Sequence, residues 1–106
     1  MAREPFSGHL EMLLLAAVQT RPMHGYAIIE HVREASSGRF EYAEGTIYPA
    51  LRHLEIERLV ASRWHQVEGR RRRVYTITAK GSRELNARRG SWERFTRSVQ
   101  AVLDHG

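Results

Sequence analysis

The side chains change period at Leu59, and that change limits the fold more than any other feature of the chain. Before it, apolar residues recur at helical spacing. From Val60 the period is two: Val60, Ser62, Trp64 and Gln66 point one way, and Ala61, Arg63, His65 and Val67 the other. A second run, Arg73-Val74-Tyr75-Thr76-Ile77-Thr78, is rich in β-branched and aromatic residues. EGRRR lies between the runs, with Gly69 as the turn signal. The pattern predicts one hairpin with an arginine-loaded tip, set among helices.

Three helices precede the hairpin. In Leu10 to Gln19, Leu10, Leu13, Leu14, Ala17 and Val18 follow helical spacing, and Met12, Leu15 and Ala16 fill the other faces. A helix apolar nearly all round needs cover on more than one side. In a domain this small a second subunit can supply it. Pro22 then breaks the chain. In HGYAIIEHVREASSG, Tyr26, Ile28, Ile29 and Val32 face inward and Gly38 is the stop. His24 and Gly25 read as an N-terminal cap and a tight start. The third helix is expected from about Glu44 to Arg58, opening with EGTIYPALRHLE. Ile47, Leu51 and Leu54 form its inner face. Gly45, Thr46 and Pro49 are poor helix formers, and with Tyr48, Arg52 and His53 they are the residues a helix built only to pack does not need. Pro49 is tolerable only near the first turn.

After the hairpin, Thr78 is a plausible N-cap for a helix from Ala79 to Leu103. Leu85, Trp92 and Val99 are spaced by seven, as are Arg88, Phe95 and Val102, which makes a heptad seam weakened at Gly90. Such a stripe cannot be hidden against its own helix. The expected dimer interface is therefore Leu10, Leu13 and Leu14 with Leu85, Trp92, Phe95, Val99 and Val102. The expected division is a first domain over 1–78 and a dimerisation helix over 79–106.

Composition closes off other classes. The chain has 106 residues, 42% of them hydrophobic, which suits one folded domain and argues against disorder. Its longest apolar run, Met12 to Val18, is far short of the roughly 20 residues needed to span a bilayer. The N-terminal stretch has no small-residue cleavage site, and the chain is read as cytoplasmic. There is no cysteine, Asp104 is the only aspartate, and the six histidines include no i, i+3 or i+4 pair. Neither a metal site, a cofactor nor catalysis is expected. The formal charge of +5 points instead to an anionic partner.

Three short helices followed by a two-stranded hairpin is the order of a winged helix-turn-helix: mainly α, with a β-hairpin wing and, here, a C-terminal dimerisation helix. In that arrangement the helix before the hairpin enters the major groove of double-stranded DNA and the wing lies along the backbone. HGYAII at 24–29, EGTIYPALRHLEIERLV at 44–60, Trp64, and RRRVYTITAKG at 71–81 carry a strong resemblance to the PadR family of bacterial transcriptional regulators. It extends over nearly all of 10–103, and the single last helix resembles the smaller subfamily.

The resemblance implies a homodimeric repressor of a pseudo-palindromic promoter site, whose last helix packs on the partner's first. It assigns DNA contact to Tyr48, Arg52 and Thr46, with His53 and Pro49 beside them, close backbone approach to Gly45, and phosphate contact to Tyr26 and the Arg70, Arg71, Arg72, Arg73 run. Within the chain Tyr48 could instead pack on the hairpin, Tyr26 could equally pack in the core, Arg52 could pair with Glu55 or Glu44, and Arg73 could turn back to the body; the arginine run could also meet the minor groove or be a solvated turn. A small aromatic or drug-like effector is implied at Trp92 and Phe95; that these two and Val99 simply fill the dimer seam is the favoured reading. One departure is Ala43, where many members carry Ser or Thr to cap the recognition helix. The alternatives are a ligand-sensing or protein-binding winged-helix adaptor without promoter recognition, and a small basic RNA-binding protein.

Overall fold

The computed structural model describes residues 9–106. Helix α1 (Leu10–Thr20) leads through a two-residue strand β1 (Met23–His24) into α2 (Gly25–Ala35). Helix α3 (Glu44–Ile56), the strands β2 (Val60–Val67) and β3 (Arg70–Ile77), and a 27-residue α4 (Ala79–His105) follow. The sheet is antiparallel in the order β1-β3-β2, with Met23 paired to Tyr75 and His24 to Val74. Strand β1 falls in the stretch that reads in sequence only as a break, because two residues are too few to show an alternation.

Backbone signals set the element ends. α2 stops with Ser37 (φ 55) and Gly38 (φ 81) in the left-handed region, where the Gly38 N–H donates to Arg33 O at 2.7 Å and the Ser37 N–H to Glu34 O at 3.1 Å. α3 ends in the same way two residues earlier than expected. Arg58 turns left-handed (φ 62), so the Leu59 N–H reaches Leu54 O at 2.9 Å. A non-glycine residue there costs on the order of 1 kcal/mol, and Thr78 secures the turn by donating its hydroxyl to Arg58 O at 2.7 Å.

The hairpin turn is tighter than the sequence suggests. Glu68 (φ 52) and Gly69 (φ 77) form a two-residue type I′ loop that pairs Val67 with Arg70. All four arginines therefore belong to β3 rather than to a tip, since this loop matches the twist of the strands and leaves no room for them. They alternate between faces: Arg71 and Arg73 lie with Trp64 and Tyr75, Arg70 and Arg72 with His65 and Val74.

The core is one cluster built on Leu14, Leu15, Ile28, Ile47, Leu51, Leu54, Val60 and Leu85, all fully buried, with Tyr75 from the sheet. Each such aliphatic side chain contributes roughly 1.5–3 kcal/mol by leaving water. Two of the expected interface residues are spent here. Leu14 is 0% and Leu85 1% exposed within one protomer, so neither has surface left to bury against a partner. Helix α4 is locked at its start, where Thr78 Oγ1 accepts from the Gly81 N–H at 2.9 Å, the cap the sequence predicts. A Cβ at Gly81 would stand 2.0 Å from the Leu59 carbonyl oxygen. Beyond Leu85 the apolar residues of α4 are exposed: Trp92, Phe95, Val99, Val102 and Leu103. Among the described residues no helix is long and apolar enough to cross a membrane.

Candidate nucleic-acid interface

Helix α3 divides cleanly around its axis. Ile47, Leu51 and Leu54 are 0% exposed, while Gly45, Thr46, Tyr48, Pro49 and Arg52 stand on the surface. The helix begins at Ala43 without a side-chain cap. Its first-turn amides are thus unclaimed by any side chain, and the positive end of the helix dipole faces outward. Among the described residues nothing crowds Gly45: a Cβ there would meet nothing within 4 Å. A helical glycine weakens its helix by about 1 kcal/mol, a cost that no packing among the described residues offsets. Pro49, in the second turn, leaves the Gly45 carbonyl without its usual helical donor.

Arg52 has no acidic partner among the described residues. Neither acid the sequence offers holds it. Glu55 is engaged on the other flank, where it accepts from the Ser62 hydroxyl at 2.6 Å and stands 3.8 Å from Arg73. Arg73 also donates Nε to Ser62 Oγ at 2.7 Å. It is turned back to the body and ties the wing to α3, which removes it from the free cations of the hairpin.

Tyr48 is exposed on one side and rests on α2 on the other. Its ring lies over Gly25, the first residue of α2, where a Cβ would come within 2.6 Å of Cε1, Cζ and Oη. Gly25 is the seat of the tyrosine, and the phenol is delivered beside the N-terminus of α2. Tyr26 follows at 52% exposure. His24 holds the N-cap position through its backbone alone, with no side-chain capping bond. Burial, helped by the neighbouring Arg72 and opposed by Glu68, lowers the pKa of its imidazole from the ordinary histidine value. Two helix N-termini and two phenols thus share one side of the molecule, a surface suited to phosphate oxygens.

On the wing, Arg71 lies 4.9 Å and Arg73 5.4 Å from the centre of the Trp64 ring, itself half exposed. Stacking on the indole holds Arg71 extended at modest cost in entropy. Arg70, Arg71 and Arg72 form no ion pair among the described residues. The sequence places Trp64 in the wing without giving it a task. The alternation of the strand supplies its face, but the pairing of Trp64 with Arg73 becomes visible only with the register.

His53 departs from the group. It lies on the flank of α3 that faces α1, its Nδ1 2.6 Å from Glu11 Oε2. On α4, Trp92 meets the His9 ring edge-on at 4.6 Å and Phe95 at 5.9 Å. Glu11, Ser62 and Glu55 carry no signal in sequence as site residues, because each acts through a partner distant along the chain.

Comparison with known proteins identifies the family. Residues 14–87 match the model of the transcriptional regulator PadR-like family. The chain is 36% identical over 73 residues to the transcriptional regulator Rv3488 of Mycobacterium tuberculosis, covering 69% of this chain and 68% of that protein. It is 27% identical over 101 residues to the transcriptional regulator YqjI of Escherichia coli, of which it spans only 47%. Among solved structures, a PadR family transcription regulator from Clostridium difficile superposes with a TM-score of 0.81 at 28% identity, covering 91% of this chain and 99% of that one. The matched segment takes in α2, α3 and the wing, the elements that carry the exposed phenols, Arg52 and the free arginines. The chain belongs to the PadR-like family of DNA-binding transcriptional regulators.

Proposed function

We propose that the chain is a homodimeric repressor that reads a pseudo-palindromic operator with α3 in the major groove and the wing on the flanking backbone. The observation that carries this is the exposed start of α3. Among the described residues nothing packs on Gly45 beside the uncapped helix end, and Arg52, about two turns further along the helix, has no acidic partner. An unpaired arginine on a recognition helix can fork onto guanine N7 and O6. Thr46, Tyr48 and Tyr26 supply hydroxyls for phosphate, and Arg70, Arg71 and Arg72 the sequence-blind attraction. His53 serves as a flank residue and Arg73 as a strut.

Dimerisation rests on the apolar stripe that α4 leaves uncovered, Trp92, Phe95, Val99, Val102 and Leu103, with the half-buried Leu10 and Leu13 of α1. Two copies would set the recognition helices about one helical turn of DNA apart. The aromatic group of His9, Trp92 and Phe95 offers flat rings to a small aromatic effector that releases the operator. Such a regulator acts in the cytoplasm, where the chromosome is.

Footprinting on the DNA upstream of its own coding sequence tests the reading. A protected site with two-fold symmetry, lost on Arg52→Ala, is the expected result. Uniform protection that ignores sequence would overturn operator recognition.

A further inference from the structure

Three helices meet at one carboxylate. Glu11 lies in the first turn of α1, its side chain 22% exposed. Its Oε2 is 2.6 Å from His53 Nδ1 on α3, and its Oε1 accepts from the Arg88 guanidinium on α4 at 3.1 Å. Arg88 in turn donates Nε to Glu84 at 2.7 Å, one turn back on its own helix, which fixes the plane of the guanidinium. One turn onward on α4 is Trp92, whose ring packs edge-on against His9, the residue that precedes α1. The first turn of α1 is thereby held between the recognition helix and the point where α4 begins to leave the body.

Resting on the reading of α3 as the helix that meets the operator, we propose that Glu11 is a positioning residue for DNA recognition. It fixes α3 against α4, so that a shift of α4 at Trp92 reaches the recognition helix through Arg88, Glu11 and His53. The chemistry favours coupling over two independent contacts. Each oxygen of one carboxylate serves one donor, and both donors bear or can bear positive charge. Take either donor away and the carboxylate is free to swing to the other, which moves the turn of α1 that both grip. Residues sharing one partner in this way depart from additivity, and a mutant cycle measures the departure. The strut on the wing side, Glu55 with Ser62 and Arg73, steadies the opposite flank of α3 and does not touch α4.

The test is a cycle of His53→Ala, Arg88→Ala and the pair, with Glu11→Gln beside them and Arg89→Ala as an exposed control. Affinity is read on the duplex protected in the footprint and on sonicated genomic DNA. Glu11→Gln is expected to weaken the protected duplex by roughly three- to tenfold, the range of a part-buried charge pair. Affinity for bulk DNA should stay within about twofold, since the lost charge is negative. The double variant should bind no worse than Glu11→Gln. Equal losses on both DNAs, strictly additive losses, or wild-type affinity in Glu11→Gln would each overturn the assignment. A DNA-independent arm follows amide hydrogen exchange over residues 50–56 in the intact chain. Arg88→Ala, remote from α3 but for Glu11, should speed it, and unchanged exchange counts against the relay. Wild-type protein with no preference for the upstream duplex would defeat the operator reading instead, and the exchange arm would still decide the role of Glu11. Thermal melts identify any variant that merely unfolds; His53→Ala and Arg88→Ala keep the test open if Glu11→Gln does.

Discussion

Two glycines have no room for a methyl group, yet what crowds them differs in kind. At Gly81 the obstacle is the backbone: the Leu59 carbonyl oxygen would lie 2.0 Å from a Cβ, with an Ile77 carbon at 2.8 Å. That oxygen already accepts from the Thr78 N–H at 3.1 Å and cannot withdraw without opening the junction of α3, β3 and α4. Gly81→Ala should therefore act on stability. Overpacking of this sort costs about 1–3 kcal/mol, and at roughly 4–8 °C per kcal/mol the melting temperature should fall by about 4–24 °C. At Gly25 the obstacle is the far end of Tyr48, a ring that can swing away. Alanine also favours the helix by up to about 1 kcal/mol over glycine. Gly25→Ala should melt within a few degrees of the wild type but lose operator affinity several-fold. A gel-shift with Tyr48→Ala checks it: the two losses should not add, because both remove the same phenol. The sequence alone offers HGY as a helix start and Tyr48 as a surface residue. That one is the seat of the other depends on how α2 crosses α3, which no local spacing encodes.

At the scale of elements, the hairpin is where the sequence is both most and least informative. Period-two alternation yields both strands and their faces, since that period is a property of the chain itself. The turn is harder to place because four consecutive arginines look like a solvated loop, whereas Glu68 and Gly69 suffice to reverse the chain. This changes what each arginine should do. Among the described residues Arg70 and Arg71 carry no ion pair, and they can follow the phosphates, Arg71 steadied by Trp64. Replacing both by alanine should weaken binding to any DNA sequence. The slope of log affinity against log salt should flatten by about 0.9 for each phosphate no longer neutralised. An unaltered slope would remove the wing from the DNA. Arg73, engaged with Ser62 and near Glu55, should behave differently. Arg73→Ala should loosen the wing from α3 and lower the melting temperature, while changing the salt slope less than the double replacement does. Salt titrations of the two variants, read beside their melts, separate the two classes.

The whole molecule measures 55 × 29 × 28 Å, and its length comes from α4. A heptad count identifies which residues share a stripe on that helix. It does not say where along the helix the protomer ends, so Leu85 and Leu14, expected at an interface, turn out to be core. One heptad, about 10.5 Å of rise, separates Leu85 from Trp92. Over that distance the stripe passes from fully buried to 37% exposed, and Val102 reaches 70%. A second copy related by a two-fold axis can cover it, and in such an interface each substitution acts twice. Burial of one valine is worth about 1.5 kcal/mol or more, so removing it from both copies costs about 3 kcal/mol. At 1.4 kcal/mol for each tenfold, Val102→Asp should raise the dimer dissociation constant at least about 100-fold. Sedimentation at micromolar concentration should then find a monomer where the wild type is a dimer. The variant should still melt cooperatively, because Leu85, Gly81 and the Thr78 cap lie on the near side of the boundary. Its operator affinity should fall further than its affinity for a single half-site, since only the dimer engages two half-sites with one loss of translational freedom. A Val102→Asp protein that stays dimeric would move the interface off this end of α4.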